Sequence, residues 1–214
     1  MNKSTIYCTG DSHIMIFSGK NKIIKMGKTL NTWTDCDYTT DHFEFKMYGY
    51  DSYIAYNVKN KSIYIDKIRK MTPIGSNLLF SFGEIDCRLY LPKYENVKET
   101  VDRYFEFLKL FESDYKIIVY MPPPSTTSID SGFDDHPKKL DLTYNRNKIT
   151  REFIAACNDR CRESKYYSIT LFDKLIKDDN KSTRRDFWDA WHLSNKNLPI
   201  LTNEIETNLK DLHE

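Results

Sequence analysis

Two groups of residues in this chain have types and spacing suited to nucleophilic catalysis. The first is Tyr7-Cys8-Thr9-Gly10-Asp11-Ser12-His13, which follows a short apolar stretch. The order strand, glycine turn, serine, helix puts a hydroxyl at the end of a sheet and beside a helix N-terminus, where backbone N–H groups and the helix dipole favour negative charge. The second is Asp189-Ala190-Trp191-His192, a carboxylate and an imidazole three residues apart. A serine in a turn together with an Asp/His pair supplies nucleophile, base and orienting group. Each residue also has a plainer reading. Ser12 is a good helix N-cap, and Asp189 is able to cap its own loop. His13 is expected on the first helical turn, outside the chemistry. Asp186 is an alternative orienting carboxylate.

Such residues need a scaffold that brings distant segments together. Five segments read as buried parallel strands: Thr5–Cys8, Phe43–Met47, Leu78–Phe82, Lys116–Met121 and Ser168–Phe172. Each is short, rich in apolar, β-branched or aromatic residues, and followed by a turn signal. Helical periodicity covers Ser62–Lys70, Val97–Phe111, Leu142–Glu163 and Leu198–Leu212, the last with Pro199 in its first turn. Alternating strands and helices imply a parallel sheet with helices on both faces, and ligands in such sheets bind beyond the carboxyl ends of the strands. Ser12, Gly49, Gly83 and Pro122-Pro123-Pro124 follow successive strands, so they converge in space. Ser18–Asp41 and Ser125–Leu140 are longer than usual connections and are expected to form a lid or rim at that end.

The 214 residues suit one large domain, 1–214, with those two stretches as loop insertions. The charges balance, 32 basic against 31 acidic, so no electrostatic footprint points to nucleic acid or an anionic membrane. No secretory signal and no span of ~20 apolar residues is found, which predicts a cytoplasmic protein, in a viral or host-cell setting among others. The five cysteines, an odd count, favour free thiols in a reducing compartment. Asp134-Asp135-His136 and His42 are metal-capable types but lack a second histidine at ligand spacing, so no metal site is expected. Tyr48, Tyr50, Tyr53 and Tyr56 cluster after the second strand and either line a sugar-binding cleft or pack between loop and helix.

The blocks taken together resemble the SGNH/GDSL hydrolase family. Gly10-Asp11-Ser12 matches its first block, Gly49 its glycine block, Gly83-Glu84-Ile85-Asp86 its third, and Asp189-Ala190-Trp191-His192 its last. The string Phe82-Gly83-Glu84-Ile85-Asp86-Cys87-Arg88 is similar to a subgroup of uncharacterised GDSL-like proteins from microbes and viruses. The resemblance implies a three-layer α/β/α sandwich of flavodoxin-like type, with a five-stranded parallel sheet in the order 2-1-3-4-5. It implies Ser12 as nucleophile, His192 as general base and Asp189 as the group that orients it. Gly49 and Gly83 are implied at the oxyanion and substrate side.

The third block departs from the family pattern, because Ile85 stands where the family has an asparagine that donates to the oxyanion. Losing one such donor costs about 10²–10³ in rate. Either the backbone N–H groups of Ser12 and Gly49 suffice, or Arg88 supplies positive charge, or hydrolysis is lost. Arg88 is equally able to form a structural ion pair with Glu84 or Asp86. Three functions follow. The leading one is a serine esterase for small acyl esters, such as O-acetyl groups on carbohydrate, with no metal or organic cofactor and a small-molecule or glycan ester as its partner. The second is acyl transfer to a sugar hydroxyl by the same triad. The third is a non-catalytic carbohydrate- or protein-binding module.

Overall fold

The computed structural model describes residues 3–21, 33–48, 53–94, 96–125, 142–176, 186–187 and 192–212. Their centre is a six-stranded sheet. The strands are β1 (Ser4–Gly10), β2 (Thr34–Thr39), β3 (Phe43–Tyr48), β4 (Asn77–Ser81), β5 (Lys116–Tyr120) and β6 (Tyr167–Ile169), in the spatial order β2-β3-β1-β4-β5-β6. The helices are α1 (Ser62–Met71), α2 (Leu91–Tyr94), α3 (Val97–Leu108), α4 (Leu142–Ser164), α5 (Phe172–Leu175) and α6 (Leu198–Asn208).

The parallel strands are β3, β1, β4, β5 and β6, the five expected, in the expected order. They read as continuous apolar runs because both faces are covered. Alternate residues go to opposite cores. From β4 and β5, Leu78, Phe80, Ile117 and Val119 join a core with α1, α3 and α4 residues such as Ile68, Phe107 and Phe153. Leu79, Ile118 and Tyr120 join the other core with Ile6, Cys8, Phe17, Leu201 and Ile205. Helices on two sides of one sheet make the three-layer arrangement.

One feature differs from the sequence expectation. The stretch Ser18–Asp41, expected to be lid or rim, contributes a sixth strand: β2 pairs antiparallel with β3 at the sheet edge. An edge strand needs only one apolar face, and here Tyr38 supplies it by stacking on Phe45 at 5.1 Å. The helix expected at Ser12 is present as a 3₁₀ helix, Ser12–Ser18. The helix runs seven residues from its Asp11 cap to a left-handed Gly19 (φ 74°), a short i→i+3 turn closed by Gly19 N–H donating to Ile16 O at 3.1 Å. The stretch Ser125–Leu140 lies outside the described residues beyond Ser125.

A buried carboxylate ties the turn after β4 to the segment before α1. Asp86, 1% exposed, accepts from the backbone N–H groups of Ala55 at 2.7 Å and Tyr56 at 3.2 Å. Asp86→Ala therefore strips two donors of their acceptor. It is expected to lower unfolding free energy by about 2–4 kcal/mol, read from urea denaturation.

Candidate active site

Ser12 is carried by the end of β1. The chain leaves the sheet at Gly10 (φ 155°), where Asp11 N–H donates to Ser81 O at 2.7 Å. Asp11 caps the 3₁₀ helix, its Oδ1 accepting from His13 N–H at 2.9 Å. The next residues, Ile14, Met15, Ile16 and Phe17, are buried in the core on that face, so the helix is locked. Ser12, by contrast, is half-buried, with its hydroxyl at the carboxyl end of the sheet.

His192 comes from the other end of the chain. The described residues on either side of it are in contact: Phe187 bridges Leu193, and Asp186 O accepts from Ser194 N–H at 2.9 Å and Asn197 Nδ2 at 2.6 Å. Asn21, just past the first 3₁₀ helix, clasps Asn195 with two hydrogen bonds of 2.7 and 3.0 Å. That clasp ties the histidine loop to the serine segment. His192 is 7% exposed, and its Nε2 lies 2.8 Å from Ser12 Oγ across 180 residues of sequence. With Nε2 unprotonated, the hydroxyl donates to it, the geometry that a nucleophile–base pair requires. Asp189 and Gly49 lie outside the described residues.

Gly83 sits where β4 ends, with φ 114°. A Cβ there would meet the Phe153 ring at 2.6 Å. The residue lets strand and α4 approach closely, and the turn it starts carries Glu84 and Arg88. Arg88 Nε donates to Glu84 Oε1 at 2.6 Å and Nη2 to Oε2 at 3.3 Å, an i,i+4 ion pair. Ile85 is half-buried and carries no donor. Asp86 faces Ala55 and Tyr56, away from Arg88's pairing.

Sequence reasoning set His13 aside and gave Glu84 no partner but Arg88. The structure joins them: His13 Nε2 lies 3.2 Å from Glu84 Oε2, both buried, and the His13 ring tilts against the His192 ring with centroids 5.2 Å apart. Both follow strand ends in the sequence, His13 directly after Ser12 and Glu84 directly after Gly83, but neither residue type names the other as its partner. Burial would push Glu84 up, but His13 and Arg88 outweigh it and hold the carboxyl at about 2. Burial likewise opposes the His13 imidazolium, and Glu84 overcomes it, raising the imidazole above its ordinary value. Asp11 has no such partner. Burial pushes it to about 7 against the pull of His13, and among the described residues its Oδ2 has no hydrogen-bond partner.

These shifts carry a pH signature. The Asp11 pKa is raised on folding, so stability is full below its unfolded value near 4 and declines as pH rises toward about 7. Glu84 acts oppositely, losing its contribution as pH falls from about 4 toward about 2. Asp11→Asn keeps the capping oxygen and removes the buried charge. Between pH 5 and 7 the variant is expected to lose less stability than the wild type, by about 1–3 kcal/mol, seen in thermal melts at each pH.

Of the clustered tyrosines, Tyr48 is core, Tyr53 lies edge-on to Tyr64 at 5.3 Å, and Tyr56 bonds Glu99 under the Arg103 guanidinium. Tyr50 lies outside the described residues. His42 Nδ1 faces Glu206 at 2.6 Å, and among the described residues no group of histidine, cysteine or acidic side chains is placed to hold a metal ion. Among them, too, no helix is long and apolar enough to cross a membrane.

The fold is that of the SGNH/GDSL hydrolases. A GDSL-like lipase from Bacteroides thetaiotaomicron superposes with TM-score 0.62 at 11% identity, covering 98% of this chain and 89% of its own. A catalytic mutant of an acetylxylan esterase from Geobacillus stearothermophilus gives TM-score 0.61 at 10% identity, covering 96% and 94%. A member of the lipolytic G-D-S-L family from Veillonella parvula gives 0.56 at 14% identity, covering 95% and 97%. No protein-family model and no curated protein sequence matches the chain.

Proposed function

We propose that the chain is a serine esterase of SGNH/GDSL type that hydrolyses small acyl esters, acetyl esters of carbohydrate in particular. The contact of 2.8 Å between His192 Nε2 and Ser12 Oγ carries the reading. The two residues come from opposite ends of the chain, and a plain N-cap serine has no need of a buried imidazole on its hydroxyl. In this account the Ser12 proton moves to His192 Nε2 as Oγ bonds to the acyl carbon. The tetrahedral intermediate collapses, and the leaving alcohol takes the proton. Water then gives a proton to Nε2 and attacks the acyl-enzyme, and Ser12 departs with that proton. Asp189, three residues before the base, is assigned to orient it.

The oxyanion is assigned to backbone N–H groups at Ser12 and Gly49, since Ile85 donates nothing. The missing side-chain donor predicts turnover about 10²–10³ below that of an enzyme with a full oxyanion hole. The acetyl and carbohydrate assignments draw support from the acetylxylan esterases that share the fold. The three described tyrosines are engaged in packing and lend it none. The test is acetate release from acetylated xylo-oligosaccharides by the wild type and by Ser12→Ala. Serine-dependent release supports the assignment. Serine-dependent cleavage of p-nitrophenyl esters with none from the acetylated sugar would keep the esterase and remove the carbohydrate.

A further inference from the structure

The nucleophile is followed by a histidine whose ring the ester mechanism does not use. That ring is 5% exposed and is gripped on one side by Glu84, at 3.2 Å, with Arg88 on the same carboxylate at 2.6 Å. On another side it lies against His192, 5.2 Å between centroids and 31° between planes. The chain of contacts is thus Arg88, Glu84, His13, His192, Ser12. Buried charged groups are costly unless paired, so the buried His13 and Glu84, with the half-buried Arg88 on the same carboxylate, call for a reason beside a candidate nucleophile. The Arg88 backbone is anchored by Arg146 on α4, which donates from Nε to its carbonyl at 3.1 Å.

We propose that His13 is a positioning residue for the general base: held by Glu84 and Arg88, its ring braces the His192 imidazole and places a positive charge beside it. This rests on the reading of His192 as the base of Ser12. A cation about 5 Å away disfavours a second cation, so it keeps His192 neutral and able to accept the serine proton at lower pH. The brace serves geometry as well, because the base must stay within hydrogen-bond reach of Oγ. The groups that face His13 are Asp11 on its own segment, Glu84 and Arg88 on the segment after β4, and the His192 ring. Asp86 lies next in line, felt by both Asp11 and Glu84. Glu84 favours the charged form of His13, and burial opposes it.

The test is an NMR titration of the histidine rings in the wild type, His13→Gln and Arg88→Gln, with the His192 signal identified from its loss in His192→Ala. Glutamine at 13 retains a donor for Glu84 and removes the charge and the ring. The His192 midpoint is expected to rise by about one pH unit in His13→Gln. Arg88→Gln, which leaves His13 in place and the carboxylate less compensated, should raise it by a smaller amount. The acid limb of kcat/KM for p-nitrophenyl acetate should move with it, kcat falling at pH 6 while KM stays within about twofold. Melting curves establish that the variants are folded, and Arg88→Gln stands in if His13→Gln is not. An unmoved His192 midpoint in a folded variant overturns the proposal, since a merely structural His13 leaves it in place. Failure of the esterase reading is separate: it shows as no Ser12-dependent hydrolysis in the wild type, whatever the titration gives.

Discussion

Replacing Ser12 by alanine is expected to lower kcat for p-nitrophenyl acetate by about 10³-fold or more, with melting temperature within a few degrees of the wild type. In the proposed mechanism the hydroxyl oxygen forms the covalent bond to the acyl carbon, so its removal takes away the reacting atom. Asp11 Oδ1, not Ser12, caps the helix, so folding barely depends on the serine. His192→Ala is expected to cost a similar factor, because an unassisted hydroxyl at neutral pH is a poor nucleophile. The double variant should be little worse than either single one, since the two act as a unit. Initial rates corrected for spontaneous ester hydrolysis provide the check. Activity in Ser12→Ala above about a tenth of the wild type would place the chemistry elsewhere.

Gly10→Ala carries the largest expected cost in stability. An added Cβ would stand 2.1 Å from the carbonyl oxygen of Ser81 and 2.7 Å from its carbon, both backbone atoms of the adjoining strand. The φ of 155° adds backbone strain for any residue with a side chain. No side chain is there to swing aside; β1 and β4 would have to separate where Asp11 N–H reaches Ser81 O. The loss is put at about 3–5 kcal/mol, enough to unfold a marginal domain. Urea or thermal denaturation checks it. A variant as stable as the wild type would mean that the two strands are not in the contact described.

The parallel part of the sheet was legible because its strands are buried on both faces. Leu78-Leu79-Phe80 leaves no polar residue to mislead, since each neighbour faces a separate core. Helices α1, α3, α4 and α6 were legible from apolar spacing along one side. Strand β2 was hidden by its setting: Thr34, Asp35, Asp37 and Thr39 are exposed at the sheet edge, and only Tyr38 reports the buried face. The helical turns Asp86–Tyr90 and Leu91–Tyr94 were hidden because Asp86 and Cys87 are buried by contacts to residues far away in sequence. Ser12 and His192 could be paired in advance because their types define a reaction. The His13–Glu84 contact could not: neither residue type fixes the partner, and the two strand ends meet only through the β1–β4 register, which sets Gly10 opposite Ser81.

The most direct test of the central claim is covalent labelling of the wild type with a fluorophosphonate, followed by mass spectrometry of the peptides. An activated serine displaces fluoride and keeps the phosphonyl group, whichever ester is the natural one. The predicted result is one label, on Ser12, lost in Ser12→Ala and strongly slowed in His192→Ala. Folded wild-type protein that stays unlabelled, or takes the label at another residue, would contradict the assignment of Ser12 and His192 as nucleophile and base.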